Sequence, residues 1–343
     1  MIDLSRWPAL VLTAGLATRL RPLSLVRAKA ALPVAGEALV RRILRSLHAA
    51  GVTRVVLNLH HRAETITREV GDGSALGLSV RYSWEPEVLG SAGGPARALP
   101  LLEADRFLII NGDTLADVDL GALAAQHVDA NALITMAVVE ADPRYNAILA
   151  DESGIVSGFS RTGTSTVGTP PLGTRGTVRT PGTLPSLGTR GTVRTLGTLP
   201  TLGTFHFIGV QAANAAAFAG VATDRQSETV HGRYPDLIAS RPGSIRVFQT
   251  SAEFFDIGTP RDYLSTALTI AAREGRSVDR GHGCDVAADA ALSETILWNN
   301  VTVGAGASIT RCVVADGVDV PNGARYVDCS LVMRDNAVIA QPF

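Results

Sequence analysis

Short apolar runs alternate with amphipathic segments along the first third of this 343-residue chain. The segment at 37–51 places four apolar residues at helical spacing and stops at a glycine, which is typical of a helix end. The predicted strands are 9–15, 54–61, 78–85 and 106–113. The predicted helices are 37–51 and 91–102, and 62–73 is predicted to be a helix and a turn. Short continuous strands separated by helices indicate an α/β fold with a mostly parallel, Rossmann-like sheet flanked by helices, which binds ligands at the carboxyl ends of its strands.

Residues 161–204 interrupt this alternation. They contain two copies of a 15-residue unit, at 172–186 and 187–201, which are identical at 13 positions. The segment is rich in Gly, Thr and Pro and has no acidic or aromatic side chain, so we predict a disordered or extended loop. Two interpretations stay open: neutral expansion of a surface loop, or a lid or partner-binding loop.

The alternation resumes after this insert. The predicted strands are 204–211 and 245–251, and the predicted helices are 233–240 and 260–275. The last helix has Pro260 just inside its start and stops at Gly275, the usual positions of these two residues. We therefore assign residues 1–280 to one domain that carries the insert.

From about residue 283 the pattern changes to a period of six. One row is Val303, Ile309, Ala315, Pro321, Val327, Met333 and Ile339, and a second is Val314, Val320, Tyr326, Val332 and Val338. A six-residue period with glycine turns is typical of a parallel β-helix, and we predict a short left-handed one over 283–343. A small all-β sandwich is the alternative. Because such coils usually stack on another surface, we expect a homo-oligomer formed through this domain.

Charge and cysteine content narrow the class of protein. The formal net charge is −1 and the pI is about 6.7, so neither a nucleic-acid nor a membrane partner is indicated. The three cysteines are far apart and form no CxxC, which indicates neither a disulfide framework nor a zinc site. The amino terminus lacks the pattern of a signal peptide, and no apolar stretch approaches the roughly 20 residues of a membrane span. We expect a cytoplasmic enzyme.

The candidate chemistry begins at the loop after the first predicted strand. This loop is rich in Gly, Ala and Arg, and Lys29 comes ten residues after Arg19. Bare backbone N–H groups and two cations that face one volume suit an anion such as a nucleoside triphosphate. The loop is not a P-loop, because no GKS or GKT closes it, and it lacks the G-x-G-x-x-G of a dinucleotide site. From local chemistry alone, an ordinary turn with solvated arginines stays the alternative.

The sequence GLATRLRPLSLVRAKAALPV, which begins at Gly15, resembles the opening motif of the sugar-1-phosphate nucleotidyltransferases. That motif is G-x-G-T-R-L-x-P-L-T followed by P-K-x-L-x-P-V. Here Ala17 replaces the second glycine, and Ala28 rather than a proline precedes Lys29. The matching residues are Thr18, Arg19, Leu20, Pro22, Leu23, Lys29, Leu32, Pro33 and Val34. The resemblance implies transfer of a nucleotidyl group from an NTP to a sugar 1-phosphate.

Two acids complete the catalytic set that the resemblance implies. Asp113 in IINGD and Asp256 in FFDIGTP stand where the family has the two aspartates that bind Mg²⁺. Taken alone, a strand-end aspartate more often caps a helix. The resemblance also implies that Arg19 holds the departing pyrophosphate and that Lys29 neutralises charge around the α-phosphate.

The substrate contacts that the resemblance implies fall into three groups. The first loop and the turn after the third strand would contact the nucleotide through Leu12, Ala14, Gly15, Ala17, Thr18, Arg19, Lys29, Leu89, Gly90, Ala92 and Gly93. The glycines of this turn would let a flat base approach the backbone; a helix N-terminal turn without a ligand is the alternative. The sugar phosphate would contact Asn146, Arg161 and Gly209, where Asn146 replaces the family's glycine and Arg161 its lysine.

The substrates are expected to be GTP and mannose 1-phosphate, because the tail and the overall layout resemble the mannose-1-phosphate guanylyltransferase-like branch. A uridylyltransferase acting on UTP and N-acetylmuramate 1-phosphate, or on another hexose 1-phosphate, is the alternative. A non-catalytic regulatory subunit would be expected to lack one of the cations or acids, and all four are present. An acyltransferase β-helix generally needs a histidine base, and no histidine follows His282.

Overall fold

The structure is a computed structural model that describes residues 2–142, 146–160, 203–276 and 279–343. Its helices are α1 (Leu39–Ala49), α2 (Ala63–Val70), α3 (Gly90–Leu102), α4 (Leu120–Asp129), α5 (Tyr234–Ser240) and α6 (Pro260–Arg273). The strands before the tail are β1 (Ala9–Leu12), β2 (Pro33–Val34), β3 (Glu37–Ala38), β4 (Arg54–Leu59), β5 (Ser79–Trp84), β6 (Arg106–Asn111), β7 (Thr114–Ala116), β8 (Ile134–Glu140), β9 (Ala147–Ala150), β10 (Val156–Ser160), β11 (Gly203–Asn214), β12 (Ile245–Gln249) and β13 (Phe254–Asp256). No helix of the described residues is long and apolar enough to cross a membrane.

A nine-stranded sheet forms the centre of the amino-terminal domain. Its first half has the order β6-β1-β4-β5 and is entirely parallel. Leu12 of β1 lies between Asn58 and Asn111, so the carboxyl ends of β1, β4 and β6 meet at one edge. The predicted α/β class is confirmed, and this edge is where ligands are expected.

The second half of the sheet is antiparallel around one long strand. β11 pairs in antiparallel fashion with β6, β8 and β9, whereas β12 is parallel to β8. The sheet is therefore mixed rather than mostly parallel. Gly203 and Thr204, which we assigned to the insert, already belong to β11. The remainder of the insert, 161–202, lies outside the described residues.

Helices cover both faces of the sheet. On the face of α1 and α2, buried apolar side chains form one continuous cluster that extends through α6 into the tail, from Leu39 and Leu44 to Tyr263 and Trp298. A second cluster on the other face includes residues of α3 and α5. α6 begins at a capping box, in which Thr259 and Asp262 exchange side-chain and backbone hydrogen bonds. The tail is thus packed onto the domain through α6.

The tail is a three-sided prism of parallel strands. Its strands are β14 (Asp279–Arg280), β15 (Asp285–Val286), β16 (Ala291–Ser293), β17 (Ile296–Leu297), β18 (Thr302–Val303), β19 (Ser308–Thr310), β20 (Val313–Val314), β21 (Asp319–Val320), β22 (Arg325–Val327), β23 (Cys329–Arg334) and β24 (Ala337–Pro342). Three sheets run along it, with the orders β14-β17-β20-β23, β15-β18-β21 and β16-β19-β22. The predicted β-helix is confirmed over the sandwich alternative. Its left-handed sense stays a prediction.

The repeat of the β-helix is not a strict six. Ile296 lies beside Val313, and Val313 lies beside Ser330, so one coil takes 17 residues. Equivalent positions follow steps of six, six and five: Leu297, Val303, Ile309, Val314, Val320, Tyr326 and Leu331. The predicted first row therefore leaves the interior, and its later member Val327 is 56% exposed. The tail also ends differently, because β23 and β24 form an antiparallel hairpin that contains Met333 and Ile339.

Candidate active site

The turn after β1 is fixed by a buried chain of hydrogen bonds. The backbone N–H of Thr13 donates to Asn58 Oδ1 at 2.6 Å, and the Thr13 hydroxyl donates to the Asn58 carbonyl. Asn58 Nδ2 donates to Glu85 Oε1 at 2.7 Å, while the Leu89 N–H donates to Glu85 Oε2 at 2.9 Å. This chain joins the carboxyl ends of β1, β4 and β5 to the start of α3. Sequence reasoning missed Asn58 and Glu85, although a polar residue at the end of an apolar strand was the available signal.

The loop that follows wraps around a cavity of about 390 Å³ at the carboxyl ends of β1 and β6. A Cβ added to Gly15 would have no described atom within 4 Å, so this glycine faces open space. Ala17 has a left-handed backbone with φ 47°, at the position where the resembling motif has glycine. The 3₁₀ turn Thr18–Leu20 follows directly. Predicted residues that line the cavity are Leu12, Gly15, Ala17, Thr18, Arg19, Lys29 and Asp113, whereas Ala14 is buried beneath the loop.

Asp113 and Lys29 form an ion pair at the rim of this cavity. Lys29 Nζ lies 2.7 Å from Asp113 Oδ2, and the lysine side chain is 15% exposed. The Gly112 N–H donates to the Leu12 carbonyl at 2.9 Å. A Cβ on Gly112 would come within 2.5 Å of that carbonyl oxygen, so only glycine fits before Asp113. The close approach of β1 and β6 thus directs Asp113 to the lysine.

Asp256 reaches the same place through a two-stranded sheet. β13 pairs in antiparallel fashion with β7, which sets Asp256 opposite Thr114, and the Ile257 N–H donates to the Asp113 carbonyl at 3.2 Å. Burial raises the pKa of Asp256, and Asp113 raises it further, while Lys29 and Arg19 oppose this shift. These interactions bring the two acids and the two cations predicted from the sequence into one neighbourhood.

Arg19 contacts the segment that follows Asp256. A Cβ on Gly258 would be 3.3 Å from Arg19 Nη1 and 3.4 Å from Nη2, so the guanidinium rests on bare backbone before α6. Gly258 also lines the cavity. The segment that carries Asp256 therefore supports Arg19 as well, which explains why a glycine follows closely after this acid.

The glycine-rich turn at the start of α3 has a different environment. The N–H groups of Ala92 and Gly93 donate to the Ser227 carbonyl at 2.9 and 3.2 Å. A Cβ on Gly90 would lie 2.5 Å from Glu228 Oε1, and Leu89 and Ala92 are buried. These glycines permit close packing against residues 225–228. A base would reach these N–H groups only after that segment moved, so the predicted nucleotide contacts of this turn stay predictions.

The three predicted sugar-phosphate residues differ in their surroundings, and the structure describes only two of them. Gly209, in the middle of β11, has φ +80°, and a Cβ there would be 3.1 Å from Thr114 Oγ1 and Asn111 Cβ. It therefore lies beside the strand that follows Asp113. Asn146 is exposed. Arg161 lies outside the described residues, so the structure does not test its predicted contact.

The donor set at the two acids suits a hard cation. No group of three or more His, Cys, Asp or Glu side chains that could hold a metal occurs in the described ranges. Magnesium is commonly bound by one or two carboxylates together with phosphates and water. The raised pKa of Asp256 also indicates that a positive charge at this place would be favourable.

Lys29 is chemically unique in the chain. Of the 31 basic residues counted as lysine or arginine, Lys29 is the only lysine. Arginine supplies every other permanent cation, including Arg19 beside the same cavity. A compact ammonium differs from a planar guanidinium in hydration and geometry, so the group at Lys29 is chemically distinct from the arginines around it. This signal was present in the composition, and sequence reasoning missed it.

A larger open groove of about 810 Å³ lies at the opposite end of the sheet. Arg6, Arg54 and Arg106 line it, and the last two begin β4 and β6. It is remote from both acids and from Lys29. Since ligands of such sheets bind beyond the carboxyl ends of the strands, the smaller cavity is the better candidate site.

The part of the chain that carries the first loop, Lys29 and Asp113 is similar in sequence to known proteins. Residues 8–160 match the nucleotidyl transferase family model. The chain is 38% identical over 153 residues to mannose-1-phosphate guanylyltransferase of Mycobacterium tuberculosis, covering 44% of this chain and 43% of that protein. It is 44% identical over 115 residues to N-acetylmuramate alpha-1-phosphate uridylyltransferase of Neisseria meningitidis serogroup B, covering 33% of this chain and 50% of that protein. The chain spans about half the length of the curated relatives it matches.

The fold extends beyond the region of sequence similarity. The crystal structure of HddC from Yersinia pseudotuberculosis superposes with a TM-score of 0.57 at 22% identity, covering 77% of this chain and 99% of that one. Residues 8–160 carry Lys29 and Asp113, whereas Asp256 lies beyond this range. Proteins of this kind generally use a divalent metal ion. The sequence similarity to nucleotidyl transferases lies in the amino-terminal domain, over residues 8–160.

Proposed function

We propose that this chain transfers a nucleotidyl group from an NTP to a sugar 1-phosphate and releases pyrophosphate. The observation that carries the proposal is the Lys29–Asp113 pair, at 2.7 Å, which lines one cavity together with Arg19 and interacts electrostatically with Asp256. Nucleotidyl transfer needs cations that surround a triphosphate and acids that can hold a metal. Both kinds of group converge here from distant parts of the sequence.

The reaction needs no protein nucleophile. A phosphate oxygen of the sugar 1-phosphate would attack the α-phosphorus in line, and the bond to the departing pyrophosphate would break. Arg19 and the backbone N–H groups near Thr18 would hold the pyrophosphate. Lys29 would stabilise charge that develops at the α-phosphate. Asp113 and Asp256 would hold Mg²⁺, which supplies further neutralisation of phosphate charge when it is bound.

GTP and mannose 1-phosphate are the substrates we propose first. The support is the similarity to a mannose-1-phosphate guanylyltransferase over 153 residues, together with the β-helix after the catalytic domain. UTP and N-acetylmuramate 1-phosphate are the second choice, because the uridylyltransferase from Neisseria is more similar over a shorter stretch of 115 residues. Both pairs use the same site chemistry and differ in the base and the sugar.

A catalytic role is favoured over a regulatory one by the intact set of charged groups. A nucleotide-sugar-binding subunit could retain the fold without keeping Lys29 against Asp113. Here Lys29, Asp113, Asp256 and Arg19 are all present and adjacent. We also propose a cytoplasmic location, where NTPs are available, and a homo-oligomer formed through the β-helix, which light scattering on the purified chain would test.

The test is a pyrophosphate-release screen that crosses four NTPs with a panel of sugar 1-phosphates in the presence of Mg²⁺. We expect turnover on at least one pair, with GTP and mannose 1-phosphate first, and loss of turnover when the metal is chelated. Asp113→Asn should abolish the signal, whereas Asp319→Asn, at an exposed position of the β-helix, should not. Turnover on no pair, with nucleotide sugars still bound, would favour the regulatory function.

A further inference from the structure

The segment from Arg27 to Pro33, which we call the lysine loop, is bound at its first residue to the β-helix. Arg27 is buried, and its Nε and Nη2 each lie 2.7 Å from one oxygen of Asp316. Its guanidinium carbon is 5.3 Å from the centre of the Trp298 ring. The loop that presents Lys29 to the cavity therefore begins with a bidentate ion pair across the two domains.

The last residue of the lysine loop is held from the same side. The Tyr263 hydroxyl donates to the Pro33 carbonyl, and Trp298 Nε1 donates to the Tyr263 oxygen at 3.0 Å. Trp298 and Tyr263 are fully buried. Trp298 thus contacts Arg27 directly and reaches Pro33 through Tyr263. Two adjacent coils of the β-helix thus fix the ends of the loop, Arg27 through Asp316 and Pro33 through Trp298 and Tyr263 of α6, and Lys29 lies between these ends.

We propose that Arg27 and Asp316 are positioning residues that hold Lys29 against Asp113. The β-helix would then be part of the active site rather than a separate module. Lys29 lies in a short 3₁₀ turn, Lys29–Ala31, and Arg27 Nη1 also donates to the Ala31 carbonyl at 3.4 Å. A displacement of the guanidinium would therefore be transmitted to the turn that carries the ammonium.

The direction of that displacement follows from the neighbouring charges. Asp316 is itself fixed, because its Oδ1 accepts the Asn299 N–H at 3.0 Å. Glu69 is the second acid near Arg27, with Oε1 3.8 Å from Nη1. A buried guanidinium that loses its partner charge is strongly unfavourable, so in Asp316→Asn we expect Arg27 to turn towards Glu69. Ala31 would follow, and Lys29 would leave its position at Asp113.

The chain offers a matched control for this ion pair. Arg311 Nε and Nη2 lie 2.7 Å from the two oxygens of Asp328, which is the same bidentate arrangement as that of Arg27 with Asp316. Arg311 and Asp328 are 17 residues apart, as are Asn299 and Asp316. This second pair lies on the surface of the β-helix, with side chains 46% and 39% exposed. Asp328→Asn removes the same kind of interaction at a place away from the lysine loop.

The single lysine makes Lys29 directly observable. Protein produced with lysine labelled by ¹³C at Cε should give one side-chain signal, which reports the surroundings of Lys29 without any modification of the chain. We expect Asp316→Asn to shift or split this signal and Asp328→Asn to leave it unchanged. Asp316→Glu, which restores the charge, should bring the signal back towards its wild-type position. This arm is independent of catalysis.

The kinetic arm rests on the proposed function. Asp316→Asn should lower kcat about tenfold, because a small misplacement of a charge-stabilising group weakens the transition state, while KM for the NTP changes within about twofold. An unchanged Lys29 signal together with unchanged kcat would overturn the inference and leave the ion pair a packing contact. If Asp316→Asn fails to fold, Trp298→Phe takes its place, with the same two readouts and the same overturning result.

Failure of the proposed function would be recognised separately. If the wild-type chain releases no pyrophosphate from any substrate pair, the nucleotidyl-transfer proposal fails and the NMR comparison alone decides the positioning role. A Lys29 signal that moves in Asp316→Asn but not in Asp328→Asn supports it in that case. A signal that is identical in both variants and in the wild type overturns it.

Discussion

Two glycine-bearing turns follow strands at the same edge of the sheet, and they differ in what surrounds them. Gly15 faces open space with no described atom within 4 Å of an added Cβ, and its loop lines the cavity. Gly90 and Gly93 face the chain itself, where an added Cβ would lie 2.5 Å from Glu228 Oε1 and 3.0 Å from Leu89 Cβ. The two sequences look equally suited to a nucleotide. An open turn leaves room for a ligand, whereas a packed turn of similar composition first serves the fold.

The comparison predicts that substitutions at the open side affect activity more than stability. The largest effect is expected for Lys29→Ala, which should lower kcat by about 10²–10³, as for loss of one charge-stabilising donor. Pyrophosphate release under saturating substrate measures this change. Arg21→Ala is the control, because Arg21 is an exposed cation of the same loop outside the cavity lining. Near-normal kcat in Lys29→Ala would contradict the assignment of the site.

Asp256→Asn should lower activity without lowering stability at neutral pH. We expect kcat to fall about 100-fold, since a metal ligand and a charge near the phosphates are lost. Burial and Asp113 raise the pKa of Asp256 above its ordinary value of 3.8, so the folded state binds this proton more tightly than the unfolded state. The resulting stabilisation is present below that ordinary value and is lost as pH rises through the raised pKa.

Thermal unfolding of the wild type and of Asp256→Asn in metal-free buffer tests whether Asp256 lowers stability as pH rises. Wild-type protein should lose more stability than the variant between about pH 4 and pH 7, because the neutral amide does not ionise. The midpoint of the variant at neutral pH should equal or exceed that of the wild type. A variant that is less stable than the wild type at pH 7, without metal, would show that Asp256 is held by favourable interactions instead.

Substitutions in the packed turn at the start of α3 should affect stability more than activity. Gly90→Ala introduces a Cβ at φ +76° that meets Glu228 and the Ser227 carbonyl, and should lower the free energy of unfolding by about 2 kcal/mol. Gly15→Ala should change stability by no more than about 0.5 kcal/mol and raise KM for the NTP several-fold. Denaturant titration and steady-state kinetics on both variants measure the contrast. Equal stability losses would remove the distinction between the two turns.

The smallest effect is expected at Ala17 of the open loop, whose backbone conformation is unfavourable for a residue with a side chain. Ala17 adopts φ 47°, a region that disfavours side chains with a Cβ. Ala17→Gly should therefore raise the free energy of unfolding by about 1 kcal/mol with kcat little changed. A loss of stability in this variant would mean that the alanine methyl group makes a packing contribution larger than the backbone strain.

The sequence predicted the parallel half of the sheet well because each of its strands is a short apolar run between helices. The antiparallel half could not be predicted, because β11 follows the insert and nothing local indicates that it pairs with β6, β8 and β9. The β-helix was predicted by its period. Its coil of 17 residues was missed, because two of the three steps in a coil are six residues and only one is five. A row of positions read at a spacing of six therefore drifts by one residue in each coil.

In the site, too, residues that lie in a local motif were predicted, and residues that depend on a distant partner were missed. Arg19, Lys29, Asp113 and Asp256 were predicted because each lies in a motif that resembles a family pattern. Glu85 was missed because its place at a strand end does not reveal its partners Asn58 and Leu89, which lie on other elements. Arg27 is similar, since its partner Asp316 is 289 residues away. Residues that act through a remote partner are those that a sequence pattern cannot supply.

The solitary lysine also determines how this protein can be handled. Reagents that acylate primary amines, such as ester crosslinkers and amine-coupled sensor surfaces, would find Lys29 as the single side-chain target in these 343 residues. Attachment through Lys29 would block the very cavity that is to be studied. Coupling through an added thiol tag or a biotin acceptor peptide would leave the cavity free, and protection of Lys29 from acylation by a bound nucleotide would serve as a simple binding assay.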